Sequence, residues 1–246
     1  MPQRQMHLVA DLKTGPTALH VGGWRHPEST LDDILHPSRY QHIARVLEAG
    51  CFDGCFFADL FGLYDIHGGS FDPYVRRGGQ ISFLDPTVVL PVMAAATTHL
   101  GLGATLSTSF HTPCHLARWL GSLDVLSGGR VAWNVVTSAT DLEARNAGMD
   151  ALPPREERSM KAEGLTLAEA AARRHRRREL VGTPAQIADR LQGLFEAGMC
   201  DGFVLSPTMF PGMFEQFCRA VVPELQRRGI YRKRYTGSTL RENLRG

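Results

Sequence analysis

Polar residues collect where apolar runs end in this chain. Asp59 closes "CFDGCFFADL", Thr105 to Ser109 close "LGLGATLSTS", and Asn134 to Ser138 close "RVAWNVVTS". A carboxylate accepts hydrogen bonds, a hydroxyl both donates and accepts, and a carboxamide does each at a separate atom. If the apolar runs are parallel strands, these side chains point toward one mouth and can hold and orient a polar ligand. Taken one at a time they carry less, because Asp, Asn, Ser and Thr begin loops in every kind of protein. Other chemistry has weaker signals. Cys51 and Cys55 in "CFDGC" lack a second pair, and the five cysteines are expected to be free, buried thiols. His111 and His115 lie four apart, but Pro113 between them argues against one helix displaying both, so no metal site is expected.

The elements that would position these residues alternate. "MHLVADL" opens the pattern, and "YQHIARVLEAG" (40–50) has helical spacing, with Ile43, Val46 and Leu47 on one face and Gly50 as its stop. "DPTVVLPVMAAATTH" (85–99) reads as a helix with Asp85 as N-cap and Pro86 at the first helical position. Strand 100–109, helix 113–129 and strand 130–138 follow. Farther on, "TPAQIADRLQGLFEAG" (183–198) begins with Thr183 as N-cap and ends at Gly198, and "DGFVLSP" (201–207) reads as a strand. A further short strand is possible near "ELVG" (179–182), and the last helix is expected to break at Pro223. Mostly apolar strands alternating with helices indicate a parallel sheet covered by helices, an α/β fold. Trp133, Met209, Phe210, Met213 and Phe214 could face a pocket, but such residues more often pack in the core.

Composition sets the outer limits. The 246 residues are 43% hydrophobic and 21% charged, with a net charge of +2 that gives no general attraction to nucleic acid or anionic membrane. Residues 1–154 hold 10 Lys/Arg against 14 Asp/Glu, and residues 155–246 hold 17 against 11. The densest basic run, "RRHRRR" (173–178), ends an Ala-rich helical stretch, where cations favour the helix dipole; no aromatic interleaving accompanies it, so nucleic-acid binding is not the leading expectation. No stretch of 18 apolar residues or signal-peptide core is present, and a cytoplasmic protein is expected.

Several segments together carry a resemblance: "GGWRHP" (22–27), "FFADLFG" (56–62), "LGLGATLSTSFHTP" (100–113), "LARWLGSLDVLSGGRVAWNVVTSA" (116–139), "VGTPAQIADRL" (181–191) and "VVPELQRRGIYRKRYTGSTLRENL" (221–244). In this order they resemble the bacterial-luciferase-like flavin-dependent monooxygenases, in the branch of nitrilotriacetate monooxygenase component A and dibenzothiophene-sulfone monooxygenase. The resemblance implies a TIM-barrel-like (β/α)8 fold and a two-component enzyme. Reduced FMN would come from a separate flavin reductase and be used to oxygenate a small organic molecule in a pocket that excludes water. Carried over residue by residue, it gives Asp59 as a flavin contact, Thr105 or Thr108 as the threonine after the third strand, and Asn134, Thr137 and Ser138 beside the flavin ring. Homo-oligomers are expected, and no membrane association.

The chain departs from that pattern after "ARNAGMDALP" (144–153). A His-x-x-x-Tyr element is expected next, and here Arg155 stands for the His and Ser159 for the Tyr. Arg155 keeps a charge that could reach a phosphate or a reduced flavin. "EERSMKAEG" then runs almost directly into "LTLAEAAARRHRRRELVGTP", so the family's central strands and its insertion are expected to be missing near 158–166. The single domain therefore divides into an N-terminal part of the barrel (1–157), a junction helix (158–180) and the C-terminal units and tail (181–246). An eight-stranded barrel takes about 250 residues, rising above roughly 400 with insertions, so six strands are expected here and two are lacking. A non-catalytic remnant is the alternative reading, and anion or nucleic-acid binding through residues 173–178 a third.

Overall fold

The computed structural model describes residues 4–16, 22–65, 67–152 and 180–245. Five strands form one parallel sheet: β1 (His7–Leu12), β2 (Gly54–Phe57), β3 (Gly101–Ser107), β4 (Val131–Val136) and β5 (Gly202–Leu205). Their order is β4-β3-β2-β1-β5. In register, Asp11 pairs with Phe56, Phe56 with Gly103, Thr105 with Asn134, and Val9 with Val204. The sheet is an arc with β4 and β5 as its edges. The strand considered near 179–182 is absent at Leu180, Val181 and Gly182, so the described residues hold five strands rather than six. Glu179, Arg155, Ser159, the run 173–178 and nearly all of the expected junction helix lie outside the described residues.

Alternation along the strands sorts side chains between two faces. Leu8, Ala10, Leu12, Cys55, Phe57, Leu100, Leu102, Ala104 and Leu106 are buried in the core. Helices α1 (Pro37–Ala49), α2 (Asp72–Arg76) and α3 (Pro86–Ala94) connect the first three strands, and Ile43, Leu47, Val89, Leu90 and Met93 complete that core from α1 and α3. Burying each such side chain contributes roughly 1.5–3 kcal/mol, and the layer of Leu and Phe is the main source of stability. The other face is crowded at its glycines. A Cβ on Gly54 would lie 2.9 Å from the carbonyl oxygen of Gly101, and one on Gly103 would lie 2.8 Å from the Phe56 Cβ.

The helix starts follow local chemistry. Asp85 accepts from the Thr87 N–H to open α3, and Thr112 accepts from the His115 N–H to open α4 (Pro113–Ser127). Thr140 and Glu143 form a reciprocal capping box on α5 (Asp141–Asn146), as do Thr183 and Gln186 on α6 (Pro184–Glu196). Pro37 starts α1 three residues earlier than the apolar spacing indicates, with His36 as the N-cap. Helix α3 stops at Ala94 instead of running on to 99, because the buried Arg130 guanidinium takes over its end. It donates to the carbonyl oxygens of Ala94, Thr97 and Leu100 and to the Thr97 hydroxyl, at 2.9–3.1 Å.

The C-terminal helices α7 (Gly212–Ala220), α8 (Val222–Arg227) and α9 (Leu240–Arg245) pack the outer layer, with a break between α7 and α8 just before Pro223. Phe210, Phe214, Val222 and Leu225 are core residues, as is Met209 by its burial, and Trp133 packs against the core with its indole N–H on the Leu106 carbonyl. The tail covers the N-terminal ends of the strands. Tyr231 donates to the Gly50 and Cys51 carbonyls, Tyr235 to that of Phe52, and Arg232 pairs with the buried Asp53. Cys51 and Cys55 are buried free thiols, Cys114 is exposed, and Cys200 and Cys218 lie between.

Candidate active site

Closing the N-terminal ends leaves the C-terminal ends of the strands as the open side of the sheet. Asp11 sits near the end of β1 at 2% exposure and accepts from the Ser206 hydroxyl at 2.7 Å, tying β1 to the segment after β5. Two residues on, Lys13 is 5% exposed. Phe83 N–H donates to the Thr14 carbonyl, and Thr14 donates from its hydroxyl to the Leu84 carbonyl at 2.6 Å, so segment 81–84 lies along the end of β1. Asp59 follows β2, and Glu143 reaches the same region from α5. Glu143 is itself buried, with its carboxylate accepting from the backbone N–H groups of Ala139 and Thr140. Gly62 lies so close to α5 that a Cβ there would come within 3.1 Å of the Glu143 nitrogen.

These groups interact electrostatically. Burial pushes the Asp11 carboxyl up to about 6, opposed by the Ser206 hydrogen bond and by Lys13. Burial also lowers the Lys13 ammonium, and Asp59, Asp11 and Glu143, in that order, act to raise it. The Lys13 ammonium thus lies within electrostatic range of three carboxylates at the strand ends. The Oδ1 atom of Asp59 is buried and accepts no hydrogen bond among the described residues, which is costly for a carboxylate oxygen unless a ligand supplies the donor.

The third and fourth strands add neutral polar groups. Asn134 donates from Nδ2 to the Thr105 hydroxyl at 2.9 Å, joining β4 and β3 on the face that also carries Phe56. Thr105 is buried, whereas Asn134 on the edge strand is exposed. Thr108 is exposed too and spends its hydroxyl on the Val136 carbonyl, while Ser109 bonds the Thr137 carbonyl at 2.9 Å. These two bonds pin the loops after β3 and β4 together, and Ser138 bends away with a φ of 65°. Asp59, Thr105, Asn134, Thr137 and Ser138 therefore belong to one end of the sheet. Thr105 and Asn134 touch, Asp59 couples to Lys13, and Thr108 holds a loop. Arg155 lies outside the described residues.

Sequence reasoning passed over Asp11, Lys13, Glu143 and Ser206. Two signals for them were present: charges at alternate positions of "VADLK", and the capping-box spacing of Thr140 and Glu143 in "TDLE". Among the described residues no three His, Cys, Asp or Glu side chains converge to hold a metal ion, and no helix is long and apolar enough to cross a membrane.

Comparison with known proteins gives the arrangement a setting. The profile of the Luciferase-like monooxygenase family matches residues 17–168. A dibenzothiophene-sulfone monooxygenase of Rhodococcus erythropolis (strain XP) is 48% identical over 149 residues, which are 60% of this chain and 33% of that protein. A dimethyl-sulfide monooxygenase of Hyphomicrobium sulfonivorans is 43% identical over 130 residues, 53% of this chain and 27% of that protein. Sequence identity with these relatives thus spans a third of their length or less. The crystal structure of a long-chain alkane monooxygenase superposes with a TM-score of 0.84 at 22% identity, covering 99% of this chain and 96% of that one. The incomplete parallel sheet is accordingly of the luciferase-like TIM-barrel type.

Proposed function

Because this chain belongs to the luciferase-like monooxygenase family, we propose that it binds reduced FMN at the C-terminal ends of β1 to β4 and oxygenates a small organic molecule there. The observation that carries this reading is the buried Oδ1 of Asp59, which has no hydrogen-bond partner among the described residues and can accept from a donor such as a flavin ring N–H. Thr105 and Asn134, already bonded to each other, offer a hydroxyl and a carboxamide to the ring edge; Thr105 suits this better than Thr108, whose hydroxyl is engaged at the Val136 carbonyl. Thr137 and Ser138 extend the contact surface in the loop after β4.

Reduced flavin, when bound, supplies the electrons that let O2 deliver one oxygen atom to an organic substrate. The chain's own residues bind and orient. Asp59 fixes one edge of the ring through an accepted hydrogen bond, and the Thr105–Asn134 pair fixes another. Segment 81–84 and the loop beginning at Gly62 cover the ends of β1 and β2 and keep water from Asp11 and Lys13, both almost fully buried. A separate reductase delivers the reduced flavin, in keeping with the two-component character of the resemblance.

A second reading has one observation in its favour. Asn134 is exposed on β4, so among the described residues the site lacks a wall on that side, and a chain of this architecture could keep the scaffold without turnover. Anaerobic titration with reduced FMN, followed by oxygen uptake with a supplied reductase, separates the two. Saturable binding with substrate oxygenation supports the monooxygenase, binding without oxygenation supports the non-catalytic scaffold, and absence of any flavin binding removes the proposed site.

A further inference from the structure

The N-terminal end of the sheet, opposite the end that carries Asp59, holds a cleft that the flavin reading does not use. It has a volume of about 440 Å³, lies between the last turn of α1 and the tail, and is lined by Arg45, Glu48, Cys51, His99, Arg234 and Tyr235. Arg45 and Arg234 are exposed, and neither guanidinium has an ion-pair or hydrogen-bond partner among the described residues. Glu48, the carboxylate of the lining, is engaged: its Oε1 accepts from the backbone N–H groups of Thr98, His99 and Leu100. The α1 carbonyls that would repel an anion are engaged as well, Val46 by the Gly50 N–H, Leu47 by that of Phe52 and Glu48 by that of Cys51. His99 and Tyr235 stack with centroids 4.7 Å apart and planes 16° from parallel. Both rings are anchored, His99 through its Nδ1–H on the Gly237 carbonyl and Tyr235 through its hydroxyl on that of Phe52. Arg232, its guanidinium carbon 6.0 Å from the Tyr235 centroid, spends Nη2 on Asp53 and keeps a buried Nη1 with no hydrogen-bond partner among the described residues.

We propose that this cleft binds a small organic phosphate that carries a planar ring, a ligand of the size of a nucleoside monophosphate. Guanidinium forks match the oxygens of a phosphate, and two of them on separate elements suit a dianion better than a singly charged carboxylate. The anchored His99–Tyr235 stack supplies aromatic surface in the same wall, against which a flat ring removes apolar area from water. The volume falls in the range of small-molecule sites, about 300–1,000 Å³, and leaves room for ring and sugar beside the phosphate. The charge of Arg232 is balanced by Asp53, but its spare buried N–H favours an acceptor-rich anion in this neighbourhood over a cation. The cleft and Asp59 lie at opposite ends of the strands, so this inference stands whether or not flavin binds.

The test titrates the full chain calorimetrically with AMP and with its two halves, adenosine and ribose 5-phosphate. AMP is expected to bind at least about tenfold more tightly than either half, because only it uses both the guanidinium pair and the aromatic wall. Its affinity should fall as salt is raised, since both guanidinium groups are solvent-exposed. Arg45→Gln and Arg234→Gln should each weaken AMP binding at least about fivefold. Neither should change the melting temperature, because these side chains are exposed and hold no other group in place. Reduced-FMN affinity, measured anaerobically on the same variants, should stay as in the parent chain. The inference is overturned if AMP gives no saturable binding or binds no more tightly than adenosine. It is equally overturned if AMP affinity is indifferent to both arginine substitutions, which would place the nucleotide elsewhere on the chain. Salt-sensitive, arginine-dependent AMP binding by a chain that takes up no flavin would uphold the cleft and remove the flavin reading.

Discussion

Asp59 and Asp11 are carboxylates at neighbouring strand ends with different roles. Asp59 keeps one oxygen buried and without a hydrogen-bond partner among the described residues, so in the proposed site its amide analogue should lose a charge-assisted hydrogen bond to flavin. Asp59→Asn is expected to weaken reduced-FMN binding by about 1.5–3 kcal/mol, roughly ten- to a hundredfold in Kd, with little change in melting temperature, as measured by anaerobic fluorescence titration. Asp11 has its oxygen on Ser206 and its carboxyl raised to about 6 by burial. A carboxyl raised on folding holds its proton more tightly in the folded state, so it imposes no cost below its unfolded pKa near 3.8 and its full cost above about 6. Stability should therefore fall between pH 4 and 6 by an Asp11-dependent amount on the order of 3 kcal/mol. Urea denaturation across that range checks the sign: Asp11→Asn should flatten this component and be the more stable protein at pH 7. A wild-type and variant pair with parallel pH profiles would refute it.

At the scale of elements, caps and register decide what was readable. Helices α3 and α6 were legible from a side-chain cap followed by Pro, because that pattern acts within one turn and needs no tertiary partner. The end of α3 was not, because the Ala94 carbonyl that closes it and the Thr97 carbonyl just beyond are satisfied by Arg130, more than 30 residues away. The same contrast separates the site residues. Asp59, Thr105 and Asn134 stand out as polar residues at the ends of apolar runs, while Asp11 and Lys13 gain their character only from the segments folded over them. The preference for Thr105 over Thr108 in the proposed site draws on the β3–β4 register, which sets Thr105 opposite Asn134. Arg130 is then a test of long-range capping. Arg130→Met should cost about 3 kcal/mol or more in urea unfolding, since it strands several buried carbonyls, and Arg130→Lys should recover little because an ammonium cannot span the fork. Full recovery by Lys would show that charge alone was required.

For the molecule as a whole, the open sheet sets the remaining problem. A closed barrel has no edges, but among the described residues β4 and β5 are both edge strands, with Val135 57% and Val204 58% exposed. Helix α4, which packs over the β3–β4 side, adds Val125 at 81% and Leu126 at 77%. Parallel strands are normally covered on both faces, and an exposed edge offers unpaired N–H and C=O groups to any other chain. The shielding devices common on edges, inward-pointing Lys or a Pro within the strand, are absent from "VAWNVV" and "GFVL". The protein is therefore expected to associate with copies of itself through β4 or β5, the free end of the arc completing what one chain leaves open. Size-exclusion chromatography with light scattering should show a species larger than 27.1 kDa across micromolar concentrations. Val135→Lys should shift it toward monomer if β4 is the edge used, and Val204→Lys if β5 is. If assembly walls the flavin site on its β4 side, where Asn134 is exposed, Val135→Lys should weaken reduced-FMN binding in parallel with the loss of association, even though Val135 points to the opposite face of the strand from Asn134. A monomer that binds flavin as tightly as the assembly would show that the five-stranded arc is sufficient by itself.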